Sequence, residues 1–524
     1  MSKKLKDIGI VSVLTVVSRV LGLARDSLSA AVFGVGLWQD AFVTAFRLPN
    51  LFRRLLGEGA LTAAFVPKLQ EAVRAGEKAG AFALVSNVAS WLCLITGGVV
   101  LVAMAVFSQS RRIWPNEAEW YVVSDLSVIL FPYLAFVCVA AILSAALNVF
   151  GRFVEPALSP IWLNLSMIVG LNVLGLHFAE TPAGRMNWLC ASVLAGGFLQ
   201  MAVPAAVLVR QGWRPRVDLR WTPAMREIAG LMAPTLFGVA IYQINTYVSG
   251  LIAFSLERSA ASLLFFANRL MELPIGVFAI AVSTVVYPLL AKHAVERKFV
   301  EMANDYRKGL RLILIINVPA AAGLTLLAEP IVRTLFQHGE FTAESTHAMT
   351  PLLGWLAIGM PFFSVVGLTT RAFYAVKDTR TPVKFAALSF AINLGLIAGL
   401  LDWLGEGEFG AKHLALASTA AVIVQTLGLQ WALTLRLPAM QFGDLWKTLG
   451  KVLLAAAVMS AAVLGGWRWL QGAWVGRGAD LAAIFGLIPA AVAVYALALW
   501  ALRIEGREDL AALLGKLKAK LKRK

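Results

Sequence analysis

Charge is what this sequence has least of. Asp, Glu, Lys and Arg make up 15% of its 524 residues, where a soluble domain carries about 25%. A single water-soluble globule is thereby excluded. Acids are scarcer than bases, 30 against 47, which leaves a net charge of +17. Cysteine is nearly missing. Cys93, Cys138 and Cys190 each sit in an apolar run, which excludes a disulfide framework and a thiolate metal site and leaves small packing residues. The five histidines, His177, His293, His338, His347 and His413, fall in loops or at the ends of apolar runs, with no carboxylate spacing for a metal. The apolar runs also lack paired carboxylates. An enzyme working by acid–base chemistry, such as a membrane glycosyltransferase, has nothing to work with there, and the expectation is a protein that is not an enzyme. Lys3, Lys4 and Lys6 before an apolar run imitate a signal peptide. Arg19 and Arg25 interrupt that run and no small-residue cleavage site follows, so it reads as a first membrane span.

What is abundant is apolar length. Hydrophobic residues are 59% of the chain and the mean hydropathy is +0.74. Runs of about 20 apolar residues are membrane helices. Fourteen are expected, at 8–33, 38–56, 82–108, 123–149, 157–177, 186–209, 228–254, 262–290, 310–328, 347–375, 382–402, 411–435, 446–466 and 480–502. The fold class is all-α integral membrane. With the first segment inside and sides alternating, 35 Lys and Arg fall inside and 8 outside, with Arg19, Arg25, Arg47 and Arg269 within spans. That asymmetry places both termini on the cytoplasmic side of a multi-pass membrane protein. The basic surplus then faces an anionic leaflet, with no call for nucleic acid.

The arginines inside spans carry the functional argument. A charge at the bilayer centre costs about 2.5–3.5 kcal/mol, so it faces a cavity or a partner and marks a transport path. On the first helix Arg19, Gly22 and Asp26 share one face, with Arg25 about 120° away. A bend at Gly22 would bring Arg25 round; an internal Arg–Asp pair is the alternative. On the second helix Arg47, Asn50 and Arg54 share a face, and Pro49 removes a backbone donor. Such breaks are tolerated at membrane depth where they line a cavity. Arg53 and Arg54 have an interfacial, snorkelling alternative, the better one for Arg54, and Glu58 is a candidate partner one turn on. A similar break recurs at Asn268-Arg269-Leu270-Met271-Glu272-Leu273-Pro274, where Arg269 and Glu272 are helix neighbours that can satisfy each other.

The connections are less eventful. Lys68 to Lys78 is polar and inside, as are the basic loop Arg210–Arg226 and the basic turn Arg371–Pro382. The tail Glu505–Lys524 reads as a basic amphipathic helix on the inner surface. Asn148, Asn164 and Asn172 read as helix–helix hydrogen-bonders. The halves look related. Arg47-Leu48 and Arg269-Leu270 recur at an offset of 222, each followed by a proline, Pro67 and Pro288. Pro132 with Asn164-Leu165 matches Pro361 with Asn393-Leu394 at 229. Two parallel six-helix repeats follow, over 1–210 and 211–440, with 441–503 as two additional helices and 504–524 as a cytoplasmic tail.

The stretches Ser18–Asp26, Arg47–Arg54, Glu58-Gly59-Ala60, Arg269–Pro274 and Lys377-Asp378-Thr379-Arg380-Thr381-Pro382 resemble the MurJ (MviN) family of bacterial lipid II flippases, in the multidrug/oligosaccharidyl-lipid/polysaccharide exporter superfamily. The resemblance covers essentially the whole chain. It implies two six-helix lobes around a central cavity plus two helices that cradle a polyprenyl tail. It implies lipid II, the undecaprenyl-pyrophosphate-linked disaccharide-pentapeptide, as substrate, flipped by alternating access. Arg19, Arg25, Arg53 and Arg269 would bind the head group, and Asp40, Asn50 and Glu272 also match functional family positions. Membrane lipids and cell-wall synthesis proteins are the other candidate partners. No cofactor or metal is expected. Monovalent-cation coupling, with its site unknown, has only Asn245, Asn393 and Thr419 as weak candidates, and Asn268 stands where relatives often have Asp. The residue chemistry agrees, since Arg presents a planar fork that stays charged. The alternatives are a flippase for another polyprenyl-linked glycan, or a multidrug cation antiporter of the same fold, which buried arginines would disfavour.

Overall fold

In the computed structural model, residues 3–55, 60–113, 117–256, 259–276, 280–405, 408–474 and 476–504 are described. Glu58 with its expected link to Arg54, and the tail Glu505–Lys524, lie outside them. Every element among the described residues is helical. The chain forms two compact units, Met1–Ser262 with His338–Thr342, and Leu263–Gln337 with Ala343–Lys524.

The first unit holds α1 (Lys3–Phe33), α2 (Leu37–Phe52), α3 (Ala60–Arg74), α4 (Lys78–Ser108), α5 (Ser110–Ile113), α6 (Ala118–Leu130), α7 (Tyr133–Val149), α8 (Val154–Val169), α9 (Leu176–Phe178), α10 (Pro182–Arg210) and α11 (Pro223–Leu256). α1 packs on α8, α2 on α6, α10 on α7 and α8, and α11 on α3 and α2. Phe65, Leu69, Val85, Leu134, Ile142 and Leu147 are buried at its centre. Helix starts follow the local sequence. Thr181 caps α10 by accepting from Gly184 N at 3.1 Å, and Thr222 caps α11 by accepting from Met225 N at 3.2 Å, each with proline as the next residue. The short segment His338–Thr342 meshes with the end of α1. Glu340 N donates to Ala31 O at 2.9 Å. Gly34 and Gly339 face this joint at φ +63 and +55, and a methyl on either would overlap backbone atoms across it.

α12 (Ala260–Pro274) begins in the first unit and continues into the second. The second unit continues with α13 (Ile280–Val295), α14 (Phe299–Leu326), α15 (Ala328–Phe336), α16 (Ala343–Ala375), α17 (Arg380–Leu404), α18 (Ala411–Arg436), α19 (Leu445–Ala473), α20 (Arg477–Ala482) and α21 (Ile488–Ala501). α16 packs between α14 and α18 around buried Tyr306, Leu310, Leu368 and Phe373. α19 and α21 pack on α14 through Ile315, Val452, Met459 and Tyr495, whose hydroxyl donates to Ile315 O at 2.9 Å. Arg333 ties α15 to α20, pairing with Asp480 at 3.0 Å and with Glu329. The basic turn 376–379 is a helix start. Asp378 Oδ1 accepts from Arg380 N and Thr381 N, both at 3.1 Å, and Asp378 also pairs with Arg436. Burial pushes its carboxyl up, but these donors and the arginine charge outweigh that and hold it below the ordinary carboxylate value.

Among the described residues nine helices are long and apolar enough to cross a membrane, ten when α6 and α7, bent by 42° between them, count as one. That is fewer than the fourteen runs read from hydropathy. α1, α2 and α12, which carry the arginines, are not of that class. Eight of the nine leave most of their apolar window unburied, and α16 is the exception at 67% buried. Leu94, Leu101 and Val102 of α4 and Leu453 and Leu454 of α19 point outward, the pattern of a protein whose solvent is lipid.

Candidate functional site

α1 runs unbroken through Gly22, so the bend expected there is not what places Arg25. Gly22 instead faces Asn164 of α8, where a methyl would lie 3.5 Å from Asn164 Nδ2, an ordinary contact. Asn164 Nδ2 donates to Ser18 O at 3.0 Å, while Asn164 Oδ1 accepts from Arg25 Nη1 at 3.0 Å. Arg25 is 6% exposed. Its Nε and Nη2 donate to Asp26 Oδ1 at 2.9 and 2.5 Å, and Met167 Sδ lies 3.6 Å from Nη1. The Arg25–Asp26 pair is therefore made, and a side chain from another helix orients it. Arg19, six residues earlier on the same helix, is half-buried. Among the described residues it has no hydrogen-bond or ion-pair partner.

On α2 the proline break is handled by Asn50. Its Nδ2 donates to Phe46 O at 3.0 Å and its Oδ1 accepts from Arg53 Nε at 3.1 Å. The helix widens into a π turn over 53–55, a distortion that often accompanies function. Arg53 is half-buried and Arg54 exposed. Arg47 lies against α11, where Gly250 makes room for it. A methyl there would overlap the guanidinium. Asp40 and Tyr247 are within electrostatic reach of Arg47.

Asp40, which the resemblance marks as a functional position, makes its direct contacts with the start of α12. The buried carboxylate caps the start of α12, accepting from Ser259 N at 2.6 Å, from Ser262 N at 2.8 Å and from the Ser262 hydroxyl. An acid at a helix N-terminus satisfies otherwise orphaned N–H groups. Ser29 Oγ donates to Gln39 Oε1 at 2.9 Å beside it. Sequence reasoning missed Ser259 and Ser262. The serines near the start of α12 were the only signal, and nothing local says that the acid is supplied from α2.

In the second unit Arg269 is partly exposed. Its Nη1 lies 3.4 Å from Glu272 Oε2, and its guanidinium sits over the Phe265 ring, 5.1 Å from the centroid. Asn268 turns back to its own helix, donating to Leu264 O at 2.8 Å. Asn50 and Arg53 are thus brought together, Arg25 joins Asp26 and Asn164, and Arg269 joins Glu272. Thr419 donates to Trp355 O at 2.8 Å, and the side chain of Asn245 lies outside the described residues. Among the described residues no cluster of His, Cys, Asp or Glu could hold a metal ion.

A family model described as lipid II flippase MurJ matches residues 29–478. The probable lipid II flippase MurJ of Vibrio cholerae is 31% identical, over 93% of this chain and 94% of its own length. That of Haemophilus influenzae is 33% identical, over 86% and 90%. Among solved structures, a lipid II flippase MurJ in an inward closed conformation aligns with a TM-score of 0.76 at 25% identity, over 93% of this chain and 97% of its own. An inward-facing multidrug resistance MATE transporter of the MOP superfamily aligns at 0.67 and 14% identity, over 82% and 96%, a likeness of fold alone.

Proposed function

The chain belongs to the lipid II flippase MurJ family, and on that premise we propose that it carries lipid II from the inner to the outer leaflet of the bacterial cytoplasmic membrane by alternating access. Arg19, Arg25, Arg53 and Arg269 bind the pyrophosphate, with Asn50 holding Arg53, Glu272 beside Arg269, and Asp40 fixing the start of α12, the helix that carries Arg269. The observation that carries this reading is Arg19, a half-buried guanidinium on an apolar helix with no partner among the described residues. Such a charge calls for water or an anion, and a pyrophosphate offers oxygens suited to a planar fork. Arg25 differs. Asp26 already balances it, so an incoming anion adds to or displaces that acid.

In this reading fourteen spans form two six-helix lobes, 1–210 and 211–440, around a central cavity. Residues 441–503 hold the polyprenyl tail, and both termini are cytoplasmic. An anionic head group leaving a negative interior moves downhill by about 2.3 kcal/mol per charge per 100 mV. Membrane potential is then the driving force, with a monovalent cation as candidate for resetting the empty carrier.

The test is exposure of lipid II at the outer face of living cells after Arg19→Ala, Arg25→Ala or Arg269→Ala. Loss of exposure at normal protein level is expected. Retained exposure removes the arginine mechanism. In reconstituted vesicles, transport that continues after the potential is collapsed removes the proposed driving force.

A further inference from the structure

The connection between α10 and α11 does something its composition alone does not explain. From Arg214 to Trp221 it is not helical and its sequence alternates with period two, Arg214, Arg216, Asp218 and Arg220 against Pro215, Val217, Leu219 and Trp221. The carbonyls of Arg216, Asp218 and Arg220 all face α4, the alternation of an extended chain. It is held as a strap across one side of α4 by that helix's own side chains. Asn87 Nδ2 donates to Asp218 O and Arg220 O, both at 2.9 Å. Ser90 Oγ accepts from Asp218 N at 3.0 Å, and Trp213 Nε1 donates to Ser86 Oγ at 2.9 Å. The main chain is thereby bound to the helix and Trp213 is buried against it, while the side chains from Arg214 onward, Asp218 apart, are left outside.

Those outward side chains form an unusual surface for a cytosolic loop. Val217 is 88% exposed, and Leu219 and Trp221 are exposed as well. Trp221 packs edge-on against Trp91 of α4 at 5.3 Å. Trp91 is followed on α4 by outward-facing Cys93, Leu94 and Ile95. The apolar row therefore continues the lipid-facing surface of α4. The basic row carries the complementary signal. Asp218 is paired to Arg220 at 2.8 Å, and Glu227 to Lys68 at 2.7 Å. Arg214, Arg216 and Arg226 are exposed with no acidic partner among the described residues. An extended ribbon with apolar side chains on one row and unmatched arginines on the other fits the boundary between acyl chains and anionic head groups.

We infer that the strap 213–222 is an interfacial anchor that selects anionic phospholipid beside α4. The occupant is anionic phospholipid of the inner leaflet, an assignment that rests on the orientation given under the proposed function. Val217, Leu219 and Trp221 insert at the acyl boundary, and Arg214 and Arg216 hold phosphate-bearing head groups around them.

The test uses full-length protein with Cys93→Ser and Val217→Cys, labelled with a small fluorophore, in nanodiscs of phosphatidylcholine with or without phosphatidylglycerol. Lipids spin-labelled near the head group report contact by quenching. Spin-labelled phosphatidylglycerol is expected to quench about twofold or more above spin-labelled phosphatidylcholine, and Arg214→Gln with Arg216→Gln is expected to abolish that excess. No quenching by either lipid puts Val217 in water, where a soluble partner would meet it, and overturns the proposal. Equal quenching by both lipids, unchanged by the arginine substitutions, overturns the anionic selection. The readout does not require transport, so a failed lipid II assay leaves it intact and a failed quenching assay leaves the transport reading intact.

Discussion

The two halves of this chain make the same turns with different residues. Between α3 and α4 the left-handed position is Gly76, at φ +76; between α13 and α14 it is Arg297, at φ +55. Gly76 N donates to Val73 O and Arg297 N to Ala294 O, both at 3.2 Å. The residues that follow, Glu77 (φ −85, ψ 67) and Lys298 (φ −88, ψ 72), have nearly the same backbone. The correspondence repeats further on. Gly151 (φ +76) ends α7, and Lys377 (φ +61) follows α16. Arg152 N donates to Leu147 O at 2.9 Å and Asp378 N to Phe373 O at 3.0 Å. A side chain at positive φ costs about 1–2 kcal/mol. The second half accepts that strain and places a basic side chain at each turn. What these turns share is backbone handedness more than residue identity.

The halves also treat their arginines differently. Arg25 is buried, matched by Asp26 and oriented by Asn164, whereas Arg269 is partly exposed and meets Glu272 at 3.4 Å. Breaking each contact sharpens that contrast. Arg25→Ala removes the charge that faces the buried Asp26 carboxylate and is expected to cost about 3–5 kcal/mol. Arg269→Ala loses an exposed pair worth about 1 kcal/mol or less. Thermal unfolding of the purified proteins checks this, and equal losses would erase the distinction. Next in size, Asn164→Ala leaves Ser18 O and Arg25 Nη1 without their partner, for about 1–3 kcal/mol, read in the same assay.

The turns give smaller effects of opposite sign. Nothing lies within 4 Å of where a methyl would sit at Gly151, so only backbone strain responds. Gly151→Ala is expected to destabilise by about 1–2 kcal/mol. Lys377→Gly is expected to stabilise by about 0.5 kcal/mol, the relieved strain exceeding the added freedom of the unfolded chain. If both changes destabilise, the shared handedness is not what holds these turns. The smallest effect concerns the strap, present on α4 of the first half. Hydrogen bonds from Arg220 lower the Asp218 carboxyl from 3.8 to about 2. Because the folded value is depressed, the contribution is complete above 3.8 and fades as pH falls towards 2. Pepsin cleavage within 213–222 should accelerate across that window, and Asp218→Asn should remove the pH dependence.

Hydropathy was enough to read the helical class, and the arginine-bearing segments lie on α1, α2 and α12, where periodicity placed them. Arg269–Glu272 was legible because helix geometry brings together side chains three or four residues apart, whereas Arg25–Asp26, adjacent in the chain, stood only as the alternative to a bend at Gly22. The orienting contacts were not. Asn164 reaches Arg25 across 139 residues and Ser262 reaches Asp40 across 222, and no local pattern encodes such pairings. Gly22 shows the ambiguity within one residue: a missing side chain reads equally well as a place to bend or as a place for a neighbour to come close. Gly250, which makes room for Arg47, carried no signal until both helices were in place.

The glycine joint at Gly34 and Gly339 sets a timetable for biosynthesis. The first unit is not contiguous, because the residues that close over the end of α1 are encoded after Gln337. At about 5–20 residues per second, the ribosome needs several seconds beyond Ser262 before that piece emerges. Until then Ala31 O lacks the amide of Glu340, and a nascent chain halted at Ser262 has every helix of the unit but not the segment that finishes it. Separately expressed halves divided at that point would inherit the same gap.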